Sequence, residues 1–549
     1  MKHRNARIVL QKGCNMRRIT DFNRKWAFTK DADAVPAEMP KRWNYVNLPH
    51  TWNDIDGQDG GNDYYRGIGY YAKEFDKDEF PNTEKHFLEI KGANSMAKVY
   101  LNGAMICAHE GGYATFRVEL KDLKEKGNLL VVEVSNAEND YVYPQKADFT
   151  FYGGLYREVS VISVPETHFE MVKLGTPGIQ VTPVVEGNNA NVEVCVECVN
   201  AGTDHRLLIE IEDAKGGRIA SFEGNGLEQC AKFTIKNVHL WHGKKDPYLY
   251  KAVATLMKDG EELDRVSTHF GCRSFVIDAH EGFLLNGQKY PLRGVSRHQD
   301  RWGVGNALTR LHHKEDMELI RELGANSVRL AHYQHDQYFY NLCDIYGIIV
   351  WAEIPYISEH LEKGRDNTKQ AMEELICQNY NHPSIVVWGL SNEITMAGNP
   401  GNDLVANHMM LNDLAHKMDP TRLTTVAAVT MCDPKELYLK VPDVIAYNHY
   451  FGWYGGDVSM NGPWFDKFHA LNPDRALGVS EYGVENIVKW HSATPMNHDY
   501  TEEYANYYHH EMLKTFATRP YLWSTHVWNM FNFAADARDE GGVIGRNNK

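Results

Sequence analysis

From about residue 275 the hydrophobic pattern of this chain changes period, and that change limits its fold more than any other feature. Upstream, apolar and polar residues alternate in short runs closed by turn signals. Downstream, continuous apolar runs are separated by amphipathic stretches. Eight such runs can be counted: Tyr290 to Val295, Ser327 to Leu330, Gly347 to Trp351, Ser384 to Trp388, Leu423 to Val429, Val444 to Tyr447, Ala476 to Val479 and Leu522 to Trp528. Strands buried on both faces of a parallel sheet read this way, and intervening stretches such as Lys314 to Leu323, with Gly324 as a stop, read as helices. Eight βα units predict a (β/α)8 TIM barrel over residues 275–549. The chain offers no eighth helix after the last strand. The expectation is that either the natural chain continues or another segment closes that flank, since the apolar surface of strands one and eight would otherwise be exposed.

The alternating upstream region divides in two. Residues 19–164 contain runs such as Lys85 to Ile90, Ala97 to Leu101 closed by Asn102-Gly103, and Asn128 to Val134, the pattern of an antiparallel β-sandwich. Residues 165–274 repeat it on a smaller scale, with Asn191 to Val196 and Tyr248 to Leu256, and their length suits an immunoglobulin-like sandwich. Residues 1–18 read as an N-terminal extension. Neither boundary carries a low-complexity linker, so the domains are expected to pack directly on one another.

A formal net charge of -15 over 549 residues argues against nucleic acid or an anionic membrane as a partner. There is no 18-residue apolar run, and the apolar stretch Ile8 to Leu10 is too short for a signal peptide. Nine cysteines, an odd number, are scattered through the chain. Cys195-x-x-Cys198 lies in an alternating strand pattern without a second Cys or His pair, and reads as strand residues rather than half a zinc site. Reduced thiols and a cytoplasmic location are the expectation from these features.

In a barrel of this kind the chemistry sits where the strands end. Strand one ends in Arg297-His298-Gln299-Asp300, strand two in His332-Tyr333, strand three in Glu353 and strand four in Asn392-Glu393. Strand six ends in Asn448-His449-Tyr450 with Trp453-Tyr454 beyond, strand seven in Glu481-Tyr482 and strand eight in Trp528-Asn529. Any one of these polar residues could be a satisfied structural group, but packing alone does not explain seven strands delivering them to one end. Two glutamates facing one cavity, Glu393 and Glu481, suit cleavage of a glycosidic bond: one carboxyl protonated to donate to the leaving oxygen, the other ionised to attack the anomeric carbon. Trp528, Trp453 and Tyr450 offer faces for a pyranose, and Asn392 is placed to bind a 2-hydroxyl.

At this point the chain resembles glycoside hydrolase family 2, the retaining β-galactosidases, β-glucuronidases and β-mannosidases. The resemblance runs through Asn47-Leu48-Pro49-His50-Thr51-Trp52-Asn53, Tyr152-Gly153-Gly154-Leu155-Tyr156-Arg157, Leu292 to Val295 with Arg297-His298, Asn326 to Tyr333, and Asn381-His382-Pro383-Ser384-Ile385, in family order over nearly the whole chain. It implies a jelly-roll, sugar-binding first domain, Glu393 as general acid/base and Glu481 as nucleophile. It also implies that Asp148 reaches the barrel mouth from the first domain, and that His298 and His332 line the pocket. No cofactor is required. Some members hold Mg2+ or Na+ near the acid/base, and Glu353 could contribute there, but no ligand set can be assembled. A carbohydrate substrate is implied, and a homo-oligomer is left open.

The glycone divides the signals. Ser391-Asn392-Glu393-Ile394-Thr395-Met396 and Tyr507-x-His509-His510 look most like the bacterial β-galactosidase branch, which is the expected specificity. Asn547-x-Lys549 matches the pattern with which β-glucuronidases bind the substrate carboxylate, and Asn448, Tyr450 and Tyr454 match the glucuronidase pocket, so β-glucuronidase is the alternative. A non-catalytic carbohydrate-binding protein or inactive fragment is the third reading; loss of either glutamate would mark it, and both are present.

Overall fold

In the computed structural model, described over residues 16–398 and 401–549, the chain forms two β-sandwiches followed by a closed barrel. Most of the expected N-terminal extension, including Cys14, lies outside the described residues. The first sandwich pairs a four-stranded sheet (Arg18–Asp21, Val159–Val164, Lys85–Ile90, Phe116–Glu119) with a six-stranded one. Trp26, Leu88, Val99, Val132 and Val161 fill the space between them. Asn102 and Gly103 both take positive φ, 51° and 87°, the tight-turn geometry that joins Met96–Leu101 to Ala104–Glu110. The second domain packs a three-stranded sheet on a four-stranded one around Val192, Val194, Ile209 and Ala254.

One cysteine expectation is corrected here. Asn189–Val196 and Cys230–Lys236 pair antiparallel with Cys195 directly opposite Cys230, and the two sulfurs are bonded at 2.09 Å. A cross-strand register of this kind is invisible to sequence spacing, because the partners are 35 residues apart. Cys198 is a free thiol in the neighbouring short strand. The reduced-thiol argument for a cytoplasmic location therefore loses this pair, since disulfides persist in oxidising surroundings.

The barrel is a single closed ring of parallel strands: Leu292–Arg297, Ser327–Leu330, Ile349–Glu353, Ile385–Asn392, Leu423–Val429, Ile445–Asn448, Leu477–Tyr482 and Ser524–Val527. Its lower end is plugged by a hairpin (Phe275–Asp278, Gly282–Leu285) whose Phe283 and Leu285 pack with Trp351 and Trp523. Among the described residues no helix follows the eighth strand; the residues of strands one and eight are themselves mostly buried, while Leu311 and Leu319 of the helix Arg310–Glu322 and Leu513 of the helix Glu502–Ala517, on either side of the gap, are exposed. Val295 is buried against the cluster that holds Met317 and Ile320 of the helix Arg310–Glu322. Phe516 of the helix Glu502–Ala517 packs edge-on against Tyr482 and under the guanidinium of Arg293 at 5.9 Å. The chain after Val527 runs over the upper mouth instead: the amide of Met530 donates to Ser296, and that of Asn547 to Phe533.

The domains pack directly, as their missing linkers suggest. Arg157 of the first sandwich is buried and donates to the carbonyls of Tyr113 and of Gln334 in the barrel, at 2.6 and 2.8 Å. The amide of Val181 in the second domain donates to Asn381 Oδ1 at 2.8 Å, and Asn381 Nδ2 returns a bond to Ile179. The Arg157 contacts hold the first domain against the barrel, where its loop around Asp148 and Phe149 enters the site, and the Asn381 contacts hold the second.

Candidate active site

A charged residue inside a strand is the pivot of the upper barrel. Arg329 sits between Val328 and Leu330, fully buried, and its guanidinium reaches Glu481, Glu353 and Asn392 as well as His332 Nδ1 at 3.1 Å and the Ser480 carbonyl at 3.4 Å. Nη1 donates to Glu481 Oε1 at 2.6 Å; Nε and Nη2 fork onto Glu353 at 3.1 and 3.0 Å; Nη2 also donates to Asn392 Oδ1 at 2.8 Å. A buried cation must be paired, and here two carboxylates and an amide do so. Room for the pair comes from Gly389 on strand four, where a Cβ would stand 2.5 Å from the Cβ of Glu353.

Glu481, near the end of strand seven, accepts from Arg329 on one oxygen and from the Tyr450 hydroxyl on the other at 2.8 Å. A carboxylate held at both oxygens is aimed. Glu393 lies just past strand four with φ of +45°, a left-handed backbone that side chains rarely adopt and that functional sites retain. Its amide donates to Ala427 at 2.8 Å, and its Oε1 accepts from Asn448 Nδ2 at 3.0 Å. Burial, reinforced by the negative charge of Glu481, pushes the Glu393 carboxyl up to about 7. Two carboxylates in one site thus have opposite environments: one keeps its proton near neutrality and the other is partnered as an anion.

Asn448 ties the halves together, donating also to Asn392 Oδ1 at 3.1 Å and accepting from Ser480 at 2.7 Å. His332 lies over the face of Trp528 at 4.7 Å and contacts Glu353 Oε1 through Nδ1 at 2.9 Å, while its Nε2 comes within 4.0 Å of Glu481. His298 contacts the Tyr333 hydroxyl through Nδ1 at 3.1 Å, and its buried Nε2 has no partner. Burial holds both imidazoles well below their usual pKa, so they face the cavity as neutral groups. Phe149 from the first domain stacks beside both, and Phe533 completes the wall.

The last loop supplies the remaining side of the cavity. Lys549 is buried with its ammonium 4.2 Å from the centre of the Tyr450 ring and 4.7 Å from that of Tyr454, and Nζ has no hydrogen-bond acceptor. The nearest carboxylate, Glu485, stands 3.7 Å away and receives the Tyr454 hydroxyl at 2.7 Å. Burial lowers the Lys549 pKa to about 8 against the opposing pull of Glu485. Asn547 Nδ2 donates to Asp148 Oδ2 at 2.8 Å, leaving its own Oδ1 buried and unpaired. The loop is seated by Gly545, with φ of +75°, where a Cβ would fall 2.7 Å from the Gln58 carbonyl and the Gly60 amide.

The structure therefore brings together Glu393, Glu481, His298, His332, Asn392, Asn448, Tyr450, Trp528, Asn547 and Lys549. It places Asp148 and Tyr454 at the rim of the same cavity. Glu353 does not fit as a metal ligand, because Arg329 and His332 occupy its oxygens; among the described residues no cluster of three or more His, Cys, Asp or Glu could hold an ion. Trp453, offered as a sugar platform, is fully buried against Tyr500 and Tyr504 and is a core residue. Sequence reasoning passed over Arg329, Phe149, Glu485 and Arg538. Arg329 had a usable signal, a charge inside an apolar barrel strand; the others sit in loops where no periodicity marks them.

The chain matches the family models for the sugar binding domain of glycosyl hydrolases family 2 over residues 19–165, for glycosyl hydrolases family 2 over 176–273, and for the TIM barrel domain of that family over 277–541. It is 38% identical over 531 residues to a β-glucuronidase of Bacteroides fragilis, covering 92% of this chain and 75% of that protein. It is 31% identical over 433 residues to a β-galactosidase of Thermoanaerobacterium thermosulfurigenes, covering 74% of this chain and spanning only 58% of that protein. Among solved structures, an FMN-binding β-glucuronidase from Facaelibacterium prausnitzii L2-6 superposes with a TM-score of 0.93 at 44% identity, over 97% of this chain and 83% of the other. Matched in all three domains and across a curated relative at this identity, the chain belongs to glycoside hydrolase family 2.

Proposed function

We propose that this protein is a retaining exo-β-glucuronidase, removing terminal β-linked glucuronic acid through a covalent glycosyl-enzyme intermediate. The observation that carries the choice of sugar is Lys549: an ammonium buried in the cavity wall without a hydrogen-bond acceptor. A buried cation in that state costs free energy unless an anion arrives, and the C6 carboxylate of a uronate is an anion of the right reach. A galactoside offers only a neutral hydroxyl there. The expectation of a galactoside from the stretch around Glu393 is therefore set second; the glucuronidase relatives support the same order.

In this reading Glu481 attacks the anomeric carbon while Glu393 gives its proton to the glycosidic oxygen, which leaves with the aglycone. Glu393, now ionised, takes a proton from water, and the water oxygen displaces Glu481 to give the retained anomer. Arg329 and Tyr450 hold Glu481 by both oxygens and aim it, and their bonds must loosen as its charge passes into the ester. Asn392 serves the 2-hydroxyl. His298, His332 and Asp148 serve the remaining hydroxyls, Trp528 offers the stacking face, and Asn547 and Tyr454 flank the uronate with Lys549.

Assaying purified protein against a panel of nitrophenyl β-glycosides, with NMR of the first product, tests this directly. The β-glucuronide should be the best substrate and β-glucuronate the first-formed anomer. An inverted anomer, or preference for the galactoside, would overturn the proposal.

A further inference from the structure

The bare state of Lys549 needs an explanation, because an anion is already nearby. Glu485 is almost fully buried, its Oε1 lies 3.7 Å from Nζ, and a shift below 1 Å would close a hydrogen bond between them. Such a pair would neutralise the lysine and remove it from service. What holds Glu485 back is Arg538. Its Nη1 stands 3.1 Å from the same Oε1, and the Tyr454 hydroxyl takes that oxygen at 2.7 Å.

Arg538 is itself fixed from three directions. Nε donates to Asp148 Oδ1 at 3.0 Å and Nη2 donates to Asp148 Oδ2, a two-pronged grip on the first domain. Nη1 also donates to Glu540 at 3.2 Å, whose other oxygen accepts from Asn548 Nδ2, one residue before the lysine. The planar fork of a guanidinium can span carboxylates on two elements; an ammonium cannot. Asp148 is held by Arg538 and Asn547, Glu485 by Arg538 and Tyr454, and only Lys549 in this cluster is left without an acceptor.

We propose that Arg538 is a positioning residue that sets uronate specificity by occupying Glu485, and so keeps the Lys549 ammonium free for the substrate carboxylate. The inference rests on the glucuronidase reading. Without Arg538, Glu485 turns to Lys549 and competes with the substrate. Beyond what loosening Asp148 costs every sugar, the loss of the lysine then falls on KM for uronides, since neutral sugars do not use it.

The test compares Arg538→Ala, Glu485→Gln, their double variant and Lys549→Ala on nitrophenyl β-glucuronide and nitrophenyl β-galactoside at pH 6, where Lys549 is protonated. Arg538→Ala also frees Asp148, which costs both sugars alike; losing the charge-assisted hydrogen bond of the lysine predicts a further rise in KM for the glucuronide, about tenfold or more relative to the galactoside. Adding Glu485→Gln removes the competing anion and should restore most of the glucuronide KM. A merely structural role for Arg538 would harm both substrates alike and would not be rescued. Absence of rescue, or equal loss on both sugars, overturns the inference. If Arg538→Ala does not fold, Arg538→Lys, with and without Glu485→Gln, carries the same comparison with the same two outcomes. Lys549→Ala separates the levels: if it leaves glucuronide KM unchanged the uronate reading itself fails, whereas a rise there without rescue in the double variant removes only the role of Arg538.

Discussion

Replacing Glu393 by Gln tests the buried acid through stability as well as through rate. The side chain is partly buried, and its pKa is raised from 4.5 to about 7 by burial and by Glu481. Between those values the unfolded chain ionises the group while the folded chain keeps its proton. The folded state therefore binds more protons and stability falls as pH rises through that window. A shift of roughly 2.5 units at about 1.36 kcal/mol per unit makes the cost on the order of 3 kcal/mol once pH passes 7. Gln keeps the shape and an oxygen for Asn448 Nδ2 but does not titrate. Thermal or urea unfolding should show Glu393→Gln more stable than the parent at pH 8, with the difference shrinking to near zero by pH 4.5. The parent's kcat/KM should lose activity above about pH 7 as the acid ionises. With a leaving group that needs no protonation, Glu393→Gln should still release aglycone in the first turnover, with slowed release of the sugar afterwards because Gln cannot take the proton from water. Equal stabilities at both pH values, together with a rate flat from pH 6 to 9, would refute the reasoning.

Glu481→Gln should abolish turnover on every substrate while leaving the fold intact by circular dichroism; measurable retained activity would remove it as the nucleophile. Gly389→Ala should cut kcat sharply, because the added methyl meets the Glu353 Cβ at 2.5 Å and displaces the partner of Arg329; unchanged kinetics would show that Glu353 does not hold the site. Cys195→Ser opens a loop closed over 35 residues, and the chain-entropy estimate puts the loss near 3–4 kcal/mol in the second domain. A urea-unfolding midpoint that does not move for that domain would contradict it.

The barrel was legible because its information is local. Short strand-like runs such as Ser327–Leu330 and Leu423–Val429 have the boundaries of the observed elements. The reactive pair was legible for the same reason: strand ends can be counted, and the end of each strand faces one cavity. What stayed hidden depends on partners far apart in sequence. Cys195 and Cys230 meet only through strand register, and Arg538 meets Asp148 from another domain. Arg293 reaches over Phe516 of the helix before strand eight, a contact of side-chain direction that no periodicity marks. The seat of Asn547-x-Lys549 was not legible either, since Gly545 and the bond from Asn547 to Asp148, in another domain, place it in the cavity wall.

The central claim is that Lys549 recognises a uronate carboxylate. The most direct measurement is kcat/KM for nitrophenyl β-glucuronide and nitrophenyl β-galactoside in the parent and in Lys549→Ala, at a pH below the lysine's value of about 8. A hydrogen bond to a charged group is worth about 1.5–3 kcal/mol, so glucuronide turnover should fall by roughly ten- to a hundredfold while the galactoside changes by no more than a few-fold. Equal effects on both sugars, or a parent enzyme that prefers the galactoside, would contradict it.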